Sequence, residues 1–258
     1  MSIFNKVMAS ALGIGATKID TMVQTKNLMP GKRIEGICKI TGGKIEQYIN
    51  QIAIGVYTGY QKEVDDKVIN ESQCIQTHYI KVERNIMPGE VCEVDFSFIL
   101  YKRVPVTKHR SKVWLSTYLD IEKGVDTSDR DYLNIDYNDY MKNVVDAIDE
   151  LGFSIREIEN EYCKAKLNGF KLVQEFEFVP TRGYFRGRLD ELELVFIPTN
   201  QYVDILLQID RKARGIMSFI SESMGMDETN LRIRIENSRR YTVDELKFEI
   251  DNVLRRYS

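Results

Sequence analysis

The sequence predicts a mainly β protein of two β-sandwiches in tandem, joined by a helix, and three observations predict it. In Ile86–Leu100 a Pro88-Gly89 turn leads into Cys92, Val94, Phe96, Phe98 and Leu100 on alternate positions, with Glu93, Asp95 and Ser97 between them. That is the period of a strand with one face on a core. The same turn-then-strand unit recurs at Leu28-Met29-Pro30-Gly31, leading through Ile40, and at Val179–Gly183, leading through Leu194. Between these β runs the period becomes helical over Asn138–Leu151, which marks a boundary. The expected division is residues 1–137, a linker helix over 138–152, and 153–258.

Ile3, Phe4, Val7, Met8, Ala11 and Leu12 share one face of a predicted N-terminal helix that Gly13 would end. This face is expected to dock on the protein's own sandwich. The alternative is a peripheral membrane or partner contact through Ile3, Phe4, Val7 and Met8, which a single lysine supports poorly. Gly13–Lys18 has neither Walker spacing nor a preceding strand, and reads as a join. From Ile19 to Tyr137 the pattern is β, with Ile52, Ile54 and Val56 alternating, then Cys74 to Val82, then Val113, Leu115, Leu119 and Ile121 with Trp114 opposed. No helix falls between these runs, which favours an antiparallel sandwich over a parallel α/β sheet.

In the linker helix Met141, Val144, Val145, Ile148 and Leu151 form the apolar face, Asn138 can cap the start and Gly152 can end it. β periodicity returns at Phe153–Ile158, Val173–Phe178, Leu189–Ile197, Val203–Ile209 and Leu231–Ile235. Asp210–Gly225 reads as a charged turn and a short helix. The chain closes in a second helix: Thr242 and Glu245 make a capping box, and Leu246, Ile250, Val253, Leu254 and Tyr257 form its apolar face.

A net charge of -3 gives no field for a polyanion, so nucleic acid is not an expected partner. Four widely spaced cysteines, three of them in strand patterns, read as packed thiols of a cytoplasmic protein. No run reaches the length of a transmembrane helix, and the N-terminus lacks a signal-peptide pattern.

Chemistry is sparse. His78 falls in a strand pattern and His109 in a basic turn, and neither has a metal-ligand neighbour in sequence. No nucleophile elbow or thiol-enzyme signature occurs, so neither an enzyme nor a cofactor is expected. Of Asp120, Asp126, Asp129, Asp131 and Asp136, the trio Asp126, Asp129 and Asp131 is the candidate divalent-ion site, against a structural reading as turn and loop carboxylates. Asp149 and Glu150 are adjacent on a helix and would not converge. Arg182, Arg186 and Arg188, then Arg211, Lys212 and Arg214, then Arg232 and Arg234 are candidates for an acidic partner, against the reading of solvated faces.

The stretches T-K-I-D-T, M-P-G-K-R-I-E-G, I-T-G-G-K-I-E-Q, M-P-G-E-V-C-E-V-D-F-S-F, K-V-W-L-S-T-Y-L-D-I, E-L-G-F-S-I-R-E, Q-E-F-E-F-V-P, F-R-G-R-L-D-E-L-E and D-R-K-A-R-G resemble the bacterial sporulation-control family of the stage-zero M type. The resemblance runs in order through nearly the whole chain. It implies a fold related to arrestins, with two tandem immunoglobulin-like sandwiches and helical additions. It also implies a cytoplasmic regulatory role through contacts with protein partners and without catalysis. Self-association is compatible with open sheet edges. The phosphate-sensing polar core of animal arrestins has no counterpart that can be placed on these residues.

Overall fold

The computed structural model describes residues 17–64, 67–122, 127–167, 170–210 and 231–256. The readings for the N-terminal helix, for Asp126, for the segment after Asp210 and for Tyr257 lie outside them. The chain forms two compact units. One comprises residues up to Thr58, Gln73–Val104 and Val113–Asn134; the other comprises Gly59–Ser72, Pro105–Lys112 and the chain from Ile135 onward. Strands β3 (Gln47–Val64) and β4 (Lys67–Ile86) are far longer than the usual five or six residues, so their distal ends belong to the second unit.

In the first unit, β1 (Lys18–Val23), β2 (Arg33–Thr41) and β5 (Val91–Ile99) form an antiparallel sheet in that order. Its register sets Ile34 opposite Phe98 and Cys38 opposite Val94. Phe96 and Phe98 are buried and Glu93, Asp95 and Ser97 point outward, as the alternation predicts. Here β3 pairs with β4 and with β6 (Val113–Ile121), and β6 pairs with β7 (Thr127–Leu133). Ile52, Ile54, Val56, Leu115 and Leu119 are fully buried. The two sheets touch where the Thr21 hydroxyl donates to Thr117 Oγ1 at 2.8 Å. Gly36 is required, because a Cβ there would stand 2.3 Å from the Met22 carbonyl and 2.5 Å from the Phe96 ring. Thr17, assigned to a join from sequence, is buried, and its N–H and hydroxyl donate to Gln47 Oε1 at 2.7 and 2.9 Å.

In the second unit, β8 (Phe153–Leu167), β9 (Phe170–Pro180), β10 (Glu191–Pro198), β11 (Tyr202–Asp210) and β12 (Leu231–Glu236) form an antiparallel run in chain order. At the β8 side Gln61 of β3 pairs in parallel with Glu161. Among the described residues two helices belong to this unit: α1 (Asp139–Glu150), capped by Asn138 Oδ1 on Met141 N, and α2 (Val243–Leu254), started by the Thr242/Glu245 capping box. Gly152 closes α1 at φ +99°, with the Arg182 carbonyl 2.2 Å from where a Cβ would stand.

The core of this unit sets Phe176, Phe178, Leu192, Leu194, Ile205 and Ile233 of the sheet with Val144 and Ile148 of α1 and Leu246 and Ile250 of α2. In this core the described residues set one face of the sheet against helices. Helical periodicity shows that an apolar face exists, and says nothing of what covers it.

On that same sheet face a polar clasp holds the segment 105–112. Gln174 Nε2 donates to the Val106 carbonyl at 2.8 Å and to Ser111 Oγ at 3.1 Å, while Gln174 Oε1 accepts the Val106 N–H at 2.9 Å. Its cross-strand neighbour Asn160 donates to Ser111 Oγ at 2.9 Å and to the Gly59 carbonyl at 3.0 Å.

Candidate functional site

Of the candidate aspartates, Asp129 and Asp131 interact on one face of β7, whereas Asp120 and Asp136 are engaged elsewhere. Asp129 Oδ2 accepts the Thr21 N–H of edge strand β1 at 2.8 Å. Asp120 accepts from Asn50 at 3.3 Å and Gln51 at 3.4 Å; Asp136 pairs with Lys108 at 3.0 Å and accepts the Tyr137 N–H at 2.8 Å. The Lys108 hydrogen bond, aided by that N–H, holds the Asp136 carboxyl below its usual range. Asp131 differs, since its Oδ2 is buried without a hydrogen-bond partner. Burial first, then Asp129 and Asp20, pushes its carboxyl up to about 6. Among the described residues no three His, Cys, Asp or Glu side chains are placed to hold a metal ion.

The raised Asp131 carboxyl has a sign. The folded state holds its proton where the unfolded chain releases it, so this contribution to stability falls as pH rises from about 4 through 6. Asp131→Asn is expected to stabilise the protein by about 1 kcal/mol at pH 8 and to be neutral near pH 4, since a half-buried group is screened. Urea unfolding at the two pH values measures it.

The remaining sequence candidates are mostly engaged. Arg234 forms a two-pronged pair with Asp204 at 2.7 and 3.0 Å and lies over the Tyr202 ring, while Arg232 reaches the same carboxylate at 4.0 Å. The strand face was read correctly, and Asp204 arrives from β11 by register. Arg182 pairs with Asp149 at 2.9 Å, and Glu150 pairs with Lys247 at 2.9 Å. Arg188 and Arg255 lie over the Tyr184 ring at 4.4 and 4.2 Å. His78 stacks on Phe98, and His109 takes a left-handed backbone in an exposed turn. None of the four cysteines is in a disulfide; burial pushes the Cys38 thiol up to about 11, so it packs as an inert group.

The most unusual environment was not singled out from sequence. Glu157, Glu159 and Glu161 alternate on β8, Glu175 and Glu177 on β9, and Glu191 and Glu193 on β10. Register places Glu159 opposite Glu175, Glu157 opposite Glu177 and Glu177 opposite Glu193, so seven carboxylates share the face opposite the helices. Among the described residues two arginines lie with them. Arg156 pairs with Glu177 and, at 2.6 Å, with Glu191; Arg110 pairs with Glu157 at 2.7 Å and Glu159 at 3.8 Å. Glu175 is only 9% exposed and Glu193 only 6%. Burial, then Glu161, Glu193, Glu159 and Glu191, pushes the Glu175 carboxyl up to about 9, and burial also raises Glu159 and Glu161. The sequence signal was Glu-Ile-Glu-Asn-Glu, Glu-Phe-Glu and Glu-Leu-Glu, each an ordinary polar face taken singly.

No helix among the described residues is long and apolar enough to cross a membrane. Residues 4–213 match the family model described as SpoOM protein. The chain is 35% identical over 258 residues to the sporulation-control protein spo0M of Bacillus subtilis strain 168, covering 100% of both. The crystal structure of Spo0M from Bacillus subtilis superposes with a TM-score of 0.86 at 34% identity, covering 95% of this chain and 100% of that one. On sequence and fold together, the chain belongs to the Spo0M family of sporulation-control proteins.

Proposed function

We propose that the protein is a non-enzymatic, cytoplasmic regulatory adaptor that influences sporulation, or a related developmental or stress programme, through contacts with other proteins. The observation that supports this best is the match to a sporulation-control protein along the whole of both chains. The surface chemistry agrees with it. Perturbed carboxylates are laid out along strand faces, and a predominantly acidic face selects a partner and speeds encounter. Four cysteines outside any disulfide suit a reducing compartment. An arrestin-related ancestry is supported in the first unit by its two contacting sheets, and the helix-backed sheet of the second is a departure from a plain sandwich.

Chemical cross-linking in intact cells, followed by mass spectrometry of the isolated protein, tests the adaptor role. The expected result is a recurrent heterologous partner cross-linked through described strand faces. Cross-links confined to the chain itself would overturn it.

A further inference from the structure

We infer that the carboxylate face of the second unit is a docking surface for an extended basic peptide segment of a partner, whose lysines or arginines enter between Glu159, Glu161 and Glu175. This names a partner chemistry for the adaptor reading and rests on it. Three observations carry it. Arg110 and Arg156 already show how a cation sits here, each bridging two carboxylates. Among the described residues Glu161 and Glu175 have no such cation, although Glu175 is more than nine-tenths buried and faces Glu159 directly across the sheet. A buried carboxyl amid carboxyls is the environment that a cation relieves most.

The spacing supplies the peptide. Carboxylates at alternate residues of one strand recur every ~6.6 Å, the repeat of alternate side chains in another extended chain. A lysine reaches a nine-tenths buried carboxyl because its four-carbon stem passes between the neighbouring side chains while its charge seeks the acid.

The charged groups that act on Glu175 are Glu159 and Glu161 from β8 and Glu191 and Glu193 from β10; on the same face lie Glu157 and Glu177, with Arg110 on Glu157 and Glu159 and Arg156 on Glu177 and Glu191. Glu175 is held neutral at ordinary pH, so a docking cation must expel its proton. Binding and proton release are therefore linked.

Calorimetric titration of the full-length protein with acetylated penta-lysine, at low salt and pH 8 in two buffers of different ionisation enthalpy, reads both. The expected result is saturable, salt-sensitive binding with release of about one proton per peptide. Glu175→Gln is expected to cut the released proton by more than about half, and a Glu159→Gln, Glu161→Gln, Glu175→Gln triple variant to weaken binding at least about tenfold. Glutamine keeps the shape of each side chain, and Arg110 keeps its closer partner Glu157 at 2.7 Å when Glu159 is changed, so the fold is not at risk.

Absence of saturable binding would overturn the assignment, as would equal affinity in the triple variant or unchanged proton release in Glu175→Gln. Self-association of the protein alone that the triple variant abolishes would assign the face to a second copy instead. None of these outcomes bears on whether other faces recruit partners in cells, which cross-linking decides separately.

Discussion

Gln174→Leu is expected to destabilise the second unit by about 3 kcal/mol, the largest loss foreseen for a surface-sized change of side chain. Leucine nearly preserves the volume, so the cavity cost is small. What is lost is pairing: the Val106 N–H and carbonyl and the Ser111 hydroxyl all meet the Gln174 amide, and Val106 is fully buried. Backbone groups left without partners in such surroundings each cost roughly 1–3 kcal/mol. Urea unfolding followed by circular dichroism measures the shift in midpoint. Trp114 lies in the first unit, so its fluorescence is an internal control, and loss of dichroism ahead of the fluorescence change locates the damage in the second. A shift below about 1 kcal/mol would mean that the segment 105–112 is held by something other than the clasp.

Glu175→Gln, one residue along and on the opposite sheet face, is expected to do the reverse. The folded state keeps the Glu175 proton up to about pH 9, whereas an unfolded chain releases it near 4.5. Folded protein therefore binds more protons throughout that window, and stability falls as pH rises from 4.5 to 9. Glutamine removes the charge and with it this slope. The variant is expected to match the parent near pH 4 and to exceed it at pH 9 by several kcal/mol, with about 6 kcal/mol as the upper bound at about 1.4 kcal/mol for each unit of a raised carboxyl. Glu159 and Glu161, also raised by burial, leave some residual slope. Unfolding free energies across this range check it, and an unchanged parent slope in the variant would contradict it.

Gln174 and Glu175 show where sequence reading succeeds and where it stops. Alternation placed β5 correctly, down to Phe96 and Phe98 inward and Glu93 and Asp95 outward, because a two-residue period is local. Capping chemistry is local as well, so Asn138 and the Thr242/Glu245 box were legible. Register is not local. Nothing in Glu-Ile-Glu-Asn-Glu discloses that Glu159 will lie opposite Glu175, and nothing near Arg234 announces Asp204 thirty residues earlier. The trio Asp126, Asp129 and Asp131 was grouped by closeness in sequence; of the two described, Asp129 serves an edge N–H while Asp131 is left with an orphaned oxygen. The helices met the same limit, since the faces of Val144, Ile148, Leu246 and Ile250 were evident but their shared sheet was not.

Carbon-13 NMR of the glutamate side-chain carboxyls, followed from pH 3 to 10 with Glu175→Gln to assign the resonance, tests the carboxylate face most directly. A Glu175 signal that stays protonated through neutrality and titrates near pH 9 is the predicted result. Titration of that signal near 4.5, the ordinary value for a glutamate, would contradict a buried cluster of carboxyls around Glu175 and the cation-docking role inferred from it.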